Sequence, residues 1–307
     1  MLVIARDELK KIRYFLQGYG RELDRRLFDF LFINGSAESV IEELEKYQNL
    51  DGGFGNGLEP DFKLPDSSPM ATSVAFQYIE NLGVRNRDLD EIVAKAIAYF
   101  DKTFVPDRAG WYAVPGEVNN FPHTPWWHFV EDEGMCAIDK NWGNPTAEII
   151  GYLNKYRQYS GLDVESITSN AISYFNSVND FNSFHEVFCF VSLHNLLDSE
   201  KAGKLEPRIF EAVDLLTSKD EDEWQDEYVA KPLDFARDSS RTFGISPSLI
   251  DRNLDCYVDT LQKRGKIKPS WSKSFYDGEL ASSWDEWILI GTVRALLALE
   301  RHGRIIG

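Results

Sequence analysis

Apolar residues recur at spacings of three and four along most of the chain, whereas the strict alternation typical of strands is hard to find. This periodicity predicts a nearly all-α protein. The turn between the fourth and fifth predicted helices, 83–87, is short enough to make them antiparallel neighbours. The predicted helices cover residues 5–17, 22–33, 37–48, 70–81, 88–103, 145–159, 164–177, 184–197, 207–217, 247–264 and 284–302.

The helices are of two kinds. Segments 70–83, 145–156 and 287–303 mix small residues with apolar ones, which favours close packing around a central axis. Helices such as 89–100 and 209–216 are amphipathic and are expected on the outside. Alternation of the two kinds every 40 to 60 residues or so predicts one domain, residues 1–307, built as an α/α toroid of about six helical hairpins.

Three long connections interrupt the hairpins, at 50–69, 105–144 and 219–246. A loop longer than about 15 residues in a compact domain commonly has a functional reason. Each of the three follows an outer helix and precedes an inner one, so all three are expected at the same end of the ring. That end is the predicted mouth of a site.

The first connection is rich in glycine and carboxylates. Four glycines between positions 52 and 57 allow a tight turn that seats Phe54 in the core. Glu59, Asp61 and Asp66 follow on a segment stiffened by prolines. Glu59 and Asp61 are candidate catalytic acid and base groups, and Asp66 is a candidate substrate-binding residue, because convergent carboxylates separate one another's pKa values. The alternative is that these carboxylates brace the loop by capping amides or pairing with arginine.

The densest chemical cluster is F-P-H-T-P-W-W-H-F-V-E-D-E-G in the second connection. His123, Trp126 and Trp127 are candidate substrate-binding residues, because tryptophan faces can wall an apolar cavity, stack on a sugar ring or stabilise a carbocation. The alternative is that the tryptophans plug one end of the ring. Although His123 and His128 are metal-ligand types, their spacing matches no recognised metal motif, so no metal is predicted. The need for a cofactor stays open.

Three further candidates lie later in the chain. His185 opens an apolar helix, where it is expected to face the mouth as a catalytic residue, although a lone histidine in such a helix is more often a hydrogen-bonded core residue. Trp224 and Trp284 each lie beside acidic residues and are candidate substrate-binding residues. Acidic and aromatic residues that recur in several loops indicate a shared pocket.

Part of the glycine loop resembles a known superfamily. Gln48 and the run Asp51–Phe54 are similar to the Q-x-x-D-G-G-F/W-G element of terpenoid cyclases and protein prenyltransferases. Together with Trp126, Trp127 and the Asn144-Pro145-Thr146 helix start, the loop looks like that of a group of uncharacterised bacterial prenyltransferase-like proteins. The resemblance implies an α/α toroid and no particular reaction.

The chain departs from the catalytic motifs of that superfamily. Protonating cyclases need D-x-D-D, and the nearest acidic run here is D-E-D-E at 220–223. Zinc-dependent prenyltransferases have an aspartate two residues before a cysteine, whereas Asp255 here is directly followed by Cys256. Neither known chemistry is therefore expected from the resemblance.

Charge and composition limit the partners and the compartment. The formal net charge is −17, which argues against nucleic acid and anionic membranes as partners. No apolar run reaches the ~18 residues that span a bilayer, and the start M-L-V-I-A-R-D-E-L-K becomes charged too early for a signal peptide. The 3 cysteines are widely separated and odd in number, so they are expected to be reduced. A cytoplasmic protein is predicted.

Three functions fit these observations. The first is binding or conversion of an isoprenoid or another apolar small molecule, which predicts a deep apolar cavity. The second is a carbohydrate-active enzyme that uses loop carboxylates and tryptophan platforms, which predicts a shallow polar cleft. The third is a scaffold without chemistry.

Overall fold

The structure, a computed structural model, describes all residues from 1 to 307. It is mostly helical with very little sheet, which confirms the all-α class. The chain divides into two compact units: unit 1 comprises residues 1–40 and 210–307, and unit 2 comprises residues 41–209. The prediction of one domain stays a prediction.

Thirteen α-helices and four two-residue strands follow one another along the chain. In chain order they are β1 (Ile4–Ala5), α1 (Arg6–Phe15), α2 (Glu22–Phe32), α3 (Ala37–Glu45), α4 (Pro69–Leu82), α5 (Arg87–Thr103), β2 (Phe129–Val130), β3 (Met135–Cys136), α6 (Gly143–Lys155), α7 (Val164–Ser177), α8 (Phe184–Leu196), α9 (Ser199–Leu216), α10 (Glu223–Asp226), α11 (Pro232–Phe235), α12 (Pro247–Arg264), α13 (Ala281–Arg301) and β4 (Ile305–Ile306).

Side-chain caps explain where several helices begin. Ser68 accepts a hydrogen bond from the Ala71 amide at the start of α4, and Ser246 accepts one from the Leu249 amide at the start of α12. Each cap satisfies an amide that has no partner within its helix. Both helices also have proline in the first turn, where its missing N–H costs nothing.

In unit 1, the two ends of the described chain are joined. β1 pairs in parallel with β4. The Arg304 side chain is only 2% exposed, and its guanidinium donates to the Leu2 carbonyl at 2.8 Å and to the carboxylates of Asp255 and Asp251 at 2.6 Å each. A buried guanidinium needs such partners because losing its hydration is costly.

In unit 2, the core lies around α6, which packs against α4, α7 and α8. Phe76 of α4 has its ring centroid 4.6 Å from that of Tyr152 on α6 and 5.7 Å from that of Phe100 on α5. On the other side, Phe190 of α8 stacks at 4.1 Å on Phe175 of α7. These rings join α4 to α5 and α6, and α7 to α8.

The second long connection, 105–144, also belongs to unit 2. It is built from short 3₁₀ turns and one small hairpin, in which β2 pairs antiparallel with β3. Across the whole chain, no helix combines the length and the apolar character that crossing a membrane requires.

Candidate functional site

The glycine loop is held by its own polar side chains. Gln48 donates from Nε2 to the Gly52 carbonyl at 2.9 Å and to a carbonyl of α5 at 3.0 Å. The Asp51 carboxylate accepts from the Gly53 amide at 3.0 Å and from the Ser67 hydroxyl at 2.7 Å. Asp51 therefore braces the loop. This structural role was the alternative to a catalytic role for the loop carboxylates.

Two glycines in this loop are required by close backbone approach. At Gly52, φ is +91° and an added Cβ would lie 2.4 Å from the Lys95 carbonyl oxygen. At Gly55, an added Cβ would lie 2.2 Å from the Asp66 carbonyl oxygen. Phe54 between them is fully buried. The turn therefore places an aromatic anchor in the core and lets the chain return along itself.

The first and second long connections lie against each other. The Lys63 amide donates to the Pro122 carbonyl at 2.8 Å, and the Thr124 amide donates to the Asp61 carbonyl at 2.9 Å. This antiparallel bridge fixes the carboxylate segment of one loop beside the tryptophan segment of the other.

The bridge brings two of the predicted carboxylates to a predicted tryptophan. Glu59 and Asp61 are 4% and 6% exposed. The Asp61 carboxylate accepts from the indole N–H of Trp126 at 3.2 Å, and the Glu59 carboxylate accepts from the Asp61 amide at 3.4 Å. Asp66, in contrast, is exposed on the outer side of the turn.

The adjacent tryptophans have different environments. Trp126 is half-buried. Trp127 is 4% exposed and packs edge-on against Phe62, with ring centroids 5.4 Å apart. Trp126 is therefore the more accessible of the two, and the roles of both tryptophans in binding stay predictions.

Two polar atoms beside Trp126 are buried without a partner. They are the hydroxyl oxygen of Thr124 and the indole nitrogen of Trp127, at the two ends of one short 3₁₀ turn. A buried donor that makes no hydrogen bond costs about 1–3 kcal/mol. Such atoms are stabilised when an oxygen-bearing molecule reaches them.

The two histidines of this segment form a pair. His123 Nδ1 lies 2.7 Å from the Phe121 carbonyl oxygen, and His123 Nε2 lies 3.1 Å from His128 Nδ1. Because a carbonyl only accepts, His123 Nδ1 carries a proton. In the neutral pair, His128 Nδ1 then donates to His123 Nε2. No group of three or more His, Cys, Asp or Glu side chains in the chain is arranged to hold a metal ion.

The remaining predicted site residues belong to other elements of the chain. His185 is on α8, and its ring packs against those of Phe184 and Phe188. In unit 1, Trp224 is 2% exposed and donates to the Ser218 carbonyl at 3.1 Å, and Trp284 is 9% exposed beside Tyr276. Their roles in binding stay predictions, and both tryptophans have the burial of core residues.

Comparison with known proteins adds no assignment: no protein-family model matches the chain, and no curated protein or solved structure is significantly similar to it.

The sequence analysis did not predict a polar cluster between α4 and α6 of unit 2. Glu148 of α6 is 7% exposed and accepts from the Ser73 hydroxyl at 2.8 Å and from the Gln77 amide at 3.1 Å, both on α4. The signal that could have found it is the pair of polar residues four apart within an apolar helix, Ser73 and Gln77. Residues four apart lie on the same face of a helix.

Another buried carboxylate lies on α8. Glu186 accepts from the Gly143 amide at 2.7 Å and from the Tyr174 hydroxyl at 3.0 Å. Burial raises the pKa of Glu186 above its ordinary value, although these two hydrogen bonds and Arg108 oppose the rise. The Glu186 carboxylate therefore holds the start of α6 and the last turn of α7 in place.

The loop cluster combines groups that recognise hydroxylated molecules. It offers a partly exposed aromatic face at Trp126, carboxylate oxygens at Asp61 and Glu59, and an unpaired hydroxyl at Thr124. Aromatic rings cover the C–H faces of a ligand, and charged acceptors form the strongest hydrogen bonds to its hydroxyls. The arrangement is suited to binding and to acid or base chemistry by a carboxylate.

Proposed function

We propose that unit 2 binds a carbohydrate, or a closely similar polyhydroxylated small molecule, at the cluster of Glu59, Asp61, Thr124 and Trp126. The observation that carries the proposal is the hydrogen bond from the Trp126 indole to the buried Asp61 carboxylate. It fixes an aromatic face and a charged acceptor side by side, which is the pairing that a sugar requires. Asp61 is then the first candidate for an acid or base in a subsequent reaction.

Two grooves on the surface are lined largely by charged residues. One of about 460 Å³ is lined by Arg85, Arg87, Asp90 and Glu91 among others, and one of about 640 Å³ by residues 219–222. The isoprenoid hypothesis predicts a deep apolar cavity instead of such grooves. It is therefore the alternative and not the main proposal. A farnesyl compound is therefore included in the experiment below.

The test is a ligand screen followed by mutation. The protein is titrated with glucose, maltose, cellobiose and farnesol, and binding is followed by calorimetry and by the shift in melting temperature. We expect at least one saccharide to bind, and we expect Trp126→Ala and Asp61→Asn to weaken it about tenfold or more, since hydrogen bonds to charged groups contribute roughly 1.5–3 kcal/mol.

Trp287→Ala is the matched control, because Trp287 is another half-buried tryptophan and lies in unit 1. It should leave saccharide binding unchanged. Binding of farnesol without any saccharide would favour the isoprenoid alternative. If neither class binds, or if Asp61→Asn lowers the melting temperature strongly without a change in affinity, the loop is a brace and the protein is better described as a scaffold.

The finer architecture and location form part of the same proposal. The alternation of small-residue and amphipathic helices, and the resemblance of the glycine loop, support an α/α toroid related to terpenoid cyclases and prenyltransferases. The three cysteines form no disulfide, which supports a reducing compartment such as the cytoplasm. The acidic net charge supports small molecules rather than nucleic acid as partners.

A further inference from the structure

Two of the 5 histidines of the chain meet in the second long connection of unit 2. His123 is half-buried and His128 is exposed, and their rings are nearly parallel, with centroids 5.3 Å apart. Their spacing in the sequence matches no metal motif. The folded loop nevertheless brings His123 Nε2 to 3.1 Å from His128 Nδ1.

This separation suits two ligands of the same metal ion. Two imidazole nitrogens at about 2.0–2.1 Å from an ion are about 3.3–3.4 Å apart in a tetrahedral site, and about 2.8–3.0 Å apart as neighbours in a square-planar site. The observed 3.1 Å lies between these values. Because His128 is exposed, its ring can turn the Nδ1 lone pair toward an ion without displacing core side chains.

His123 is oriented by a partner on its other ring nitrogen. Its Nδ1–H donates to the Phe121 carbonyl at 2.7 Å, so in the neutral ring Nε2 has a free lone pair. A metal-binding histidine almost always has such a partner, because the partner fixes both the ring and the tautomer. The antiparallel bridge between Phe62 and His123 holds the backbone at the same position. His123 is therefore arranged as a ligand before any ion arrives.

We propose that His123 Nε2 and His128 Nδ1 together bind a divalent transition-metal ion of the Cu²⁺ and Zn²⁺ kind, for which imidazole is a suitable ligand. On binding, His128 Nδ1 loses its proton to solvent and the exposed Nε2 takes one up, so the neutral pair releases no net proton. No third His, Cys, Asp or Glu side chain completes the set, so water fills the remaining positions. The ion is accordingly exchangeable, and its water positions are open to an oxygen ligand.

This inference does not rest on the proposed saccharide site. Its ligand atoms are imidazole nitrogens, whereas saccharide binding depends on Asp61 and Trp126. The metal is titrated alone, and saccharides are titrated without metal. Failure of one proposal is therefore distinguishable from failure of the other.

The experiment titrates the full chain with copper(II) chloride and with zinc chloride, each in the presence and absence of excess magnesium chloride. Calorimetry is done at about 0.15 M salt, where the Debye length of about 8 Å screens general attraction of cations to an acidic protein. We expect Cu²⁺ to bind more tightly than Zn²⁺. Magnesium should not compete, because it prefers oxygen ligands.

Two substitutions locate the site. His128→Ala and His123→Gln should each weaken Zn²⁺ binding about tenfold or more, since losing even the partner of a metal ligand costs about 10–100-fold. His302→Ala is the matched control, because His302 is also half-buried and its Nε2 lies 2.9 Å from the Ala236 carbonyl oxygen. It should leave Zn²⁺ binding unchanged.

A measurement on the unmodified protein protects the test against variants that fail to fold. Zn²⁺ should move the imidazole nitrogen-15 signals of His123 and His128 and leave those of His302 in place. The proposal is overturned if His128→Ala binds Zn²⁺ as tightly as the His302→Ala protein does, if magnesium displaces Zn²⁺, or if the signals of His123 and His128 do not move.

Discussion

At the scale of single residues, the conformation of the glycine loop depends on close contacts between backbone atoms. Gly55 lies so close to the Asp66 carbonyl that an added methyl group would overlap it. Backbone atoms cannot move aside as the end of a flexible side chain can. The loop therefore depends on this glycine more than on any polar group in it.

We predict that Gly55→Ala lowers the free energy of unfolding by about 1–3 kcal/mol, the usual cost of overpacking. Urea unfolding followed by circular dichroism measures the change. Gly203→Ala is the control, since nothing lies within 4 Å of an added Cβ at that helical position. A Gly55→Ala protein as stable as the Gly203→Ala protein would contradict the close approach described for the loop.

The aromatic anchor gives a second prediction. Phe54→Ala should lower the free energy of unfolding by about 3–5 kcal/mol, because a fully buried phenylalanine leaves a cavity when it is truncated. Phe15 is 59% exposed, so Phe15→Ala should change stability by about 0.5 kcal/mol or less. Equal melting temperatures for Phe54→Ala and the parent would show that Phe54 is not an anchor.

At the scale of elements, the helices were predictable wherever start signals and periodicity agree. The predicted helices 164–177 and 247–264 have the bounds that the structure shows, because Asp163 and Ser246 cap them. In contrast, α9 begins at Ser199 and not at Pro207, where proline was read as a first-turn residue. The missed signal is Asp198, whose carboxylate accepts from the Lys201 amide at 3.0 Å.

The candidate site was predictable only in part. Its two loops were recognised by their length and composition, and the structure places Asp61 beside Trp126. Which of two adjacent tryptophans faces solvent depends on the direction of a single 3₁₀ turn, which periodicity does not encode. The Glu148 cluster was missed because segments 70–83 and 145–156 were considered only for their small and apolar residues.

The join between the chain ends gives a prediction for pH. Burial raises the pKa of Asp255, but the hydrogen bonds from the Leu2 amide and Arg304 outweigh it and lower the pKa below its ordinary value. The unfolded chain therefore binds a proton at Asp255 at a higher pH than the folded protein does. The stability from this carboxylate is present above an ordinary aspartate pKa of about 4 and is lost as the pH falls through the lowered value.

We expect Asp255→Asn to melt at a lower temperature than the parent at pH 7, and the difference to shrink as the pH falls from about 5 to about 3. Melting curves across this range measure it. Asp259→Asn removes a partly exposed carboxylate on the same helix, paired only with Lys263, and should melt like the parent throughout. A difference for Asp255→Asn that is constant with pH would exclude the ionic contribution.

At the scale of the whole molecule, both boundaries between the units fall inside helices, at residues 40 and 41 in α3 and at residues 209 and 210 in α9. A helix forms cooperatively along its length. We therefore predict one unfolding transition in guanidinium chloride, with coincident curves from far-ultraviolet circular dichroism and tryptophan fluorescence. Two well-separated transitions would show that the units fold independently.

The hydrogen bonds of the glycine loop affect how function is inferred from sequence. Gln48 donates to a carbonyl of the loop, Asp51 accepts from an amide of the loop, and Phe54 lies in the core. Every conspicuous side chain of Q-x-x-D-G-G-F is thus occupied in building the turn. A genome survey that finds this string in another protein has evidence for a shape of backbone, and transfer of an enzyme name on that string alone would propagate an error from one annotation to the next.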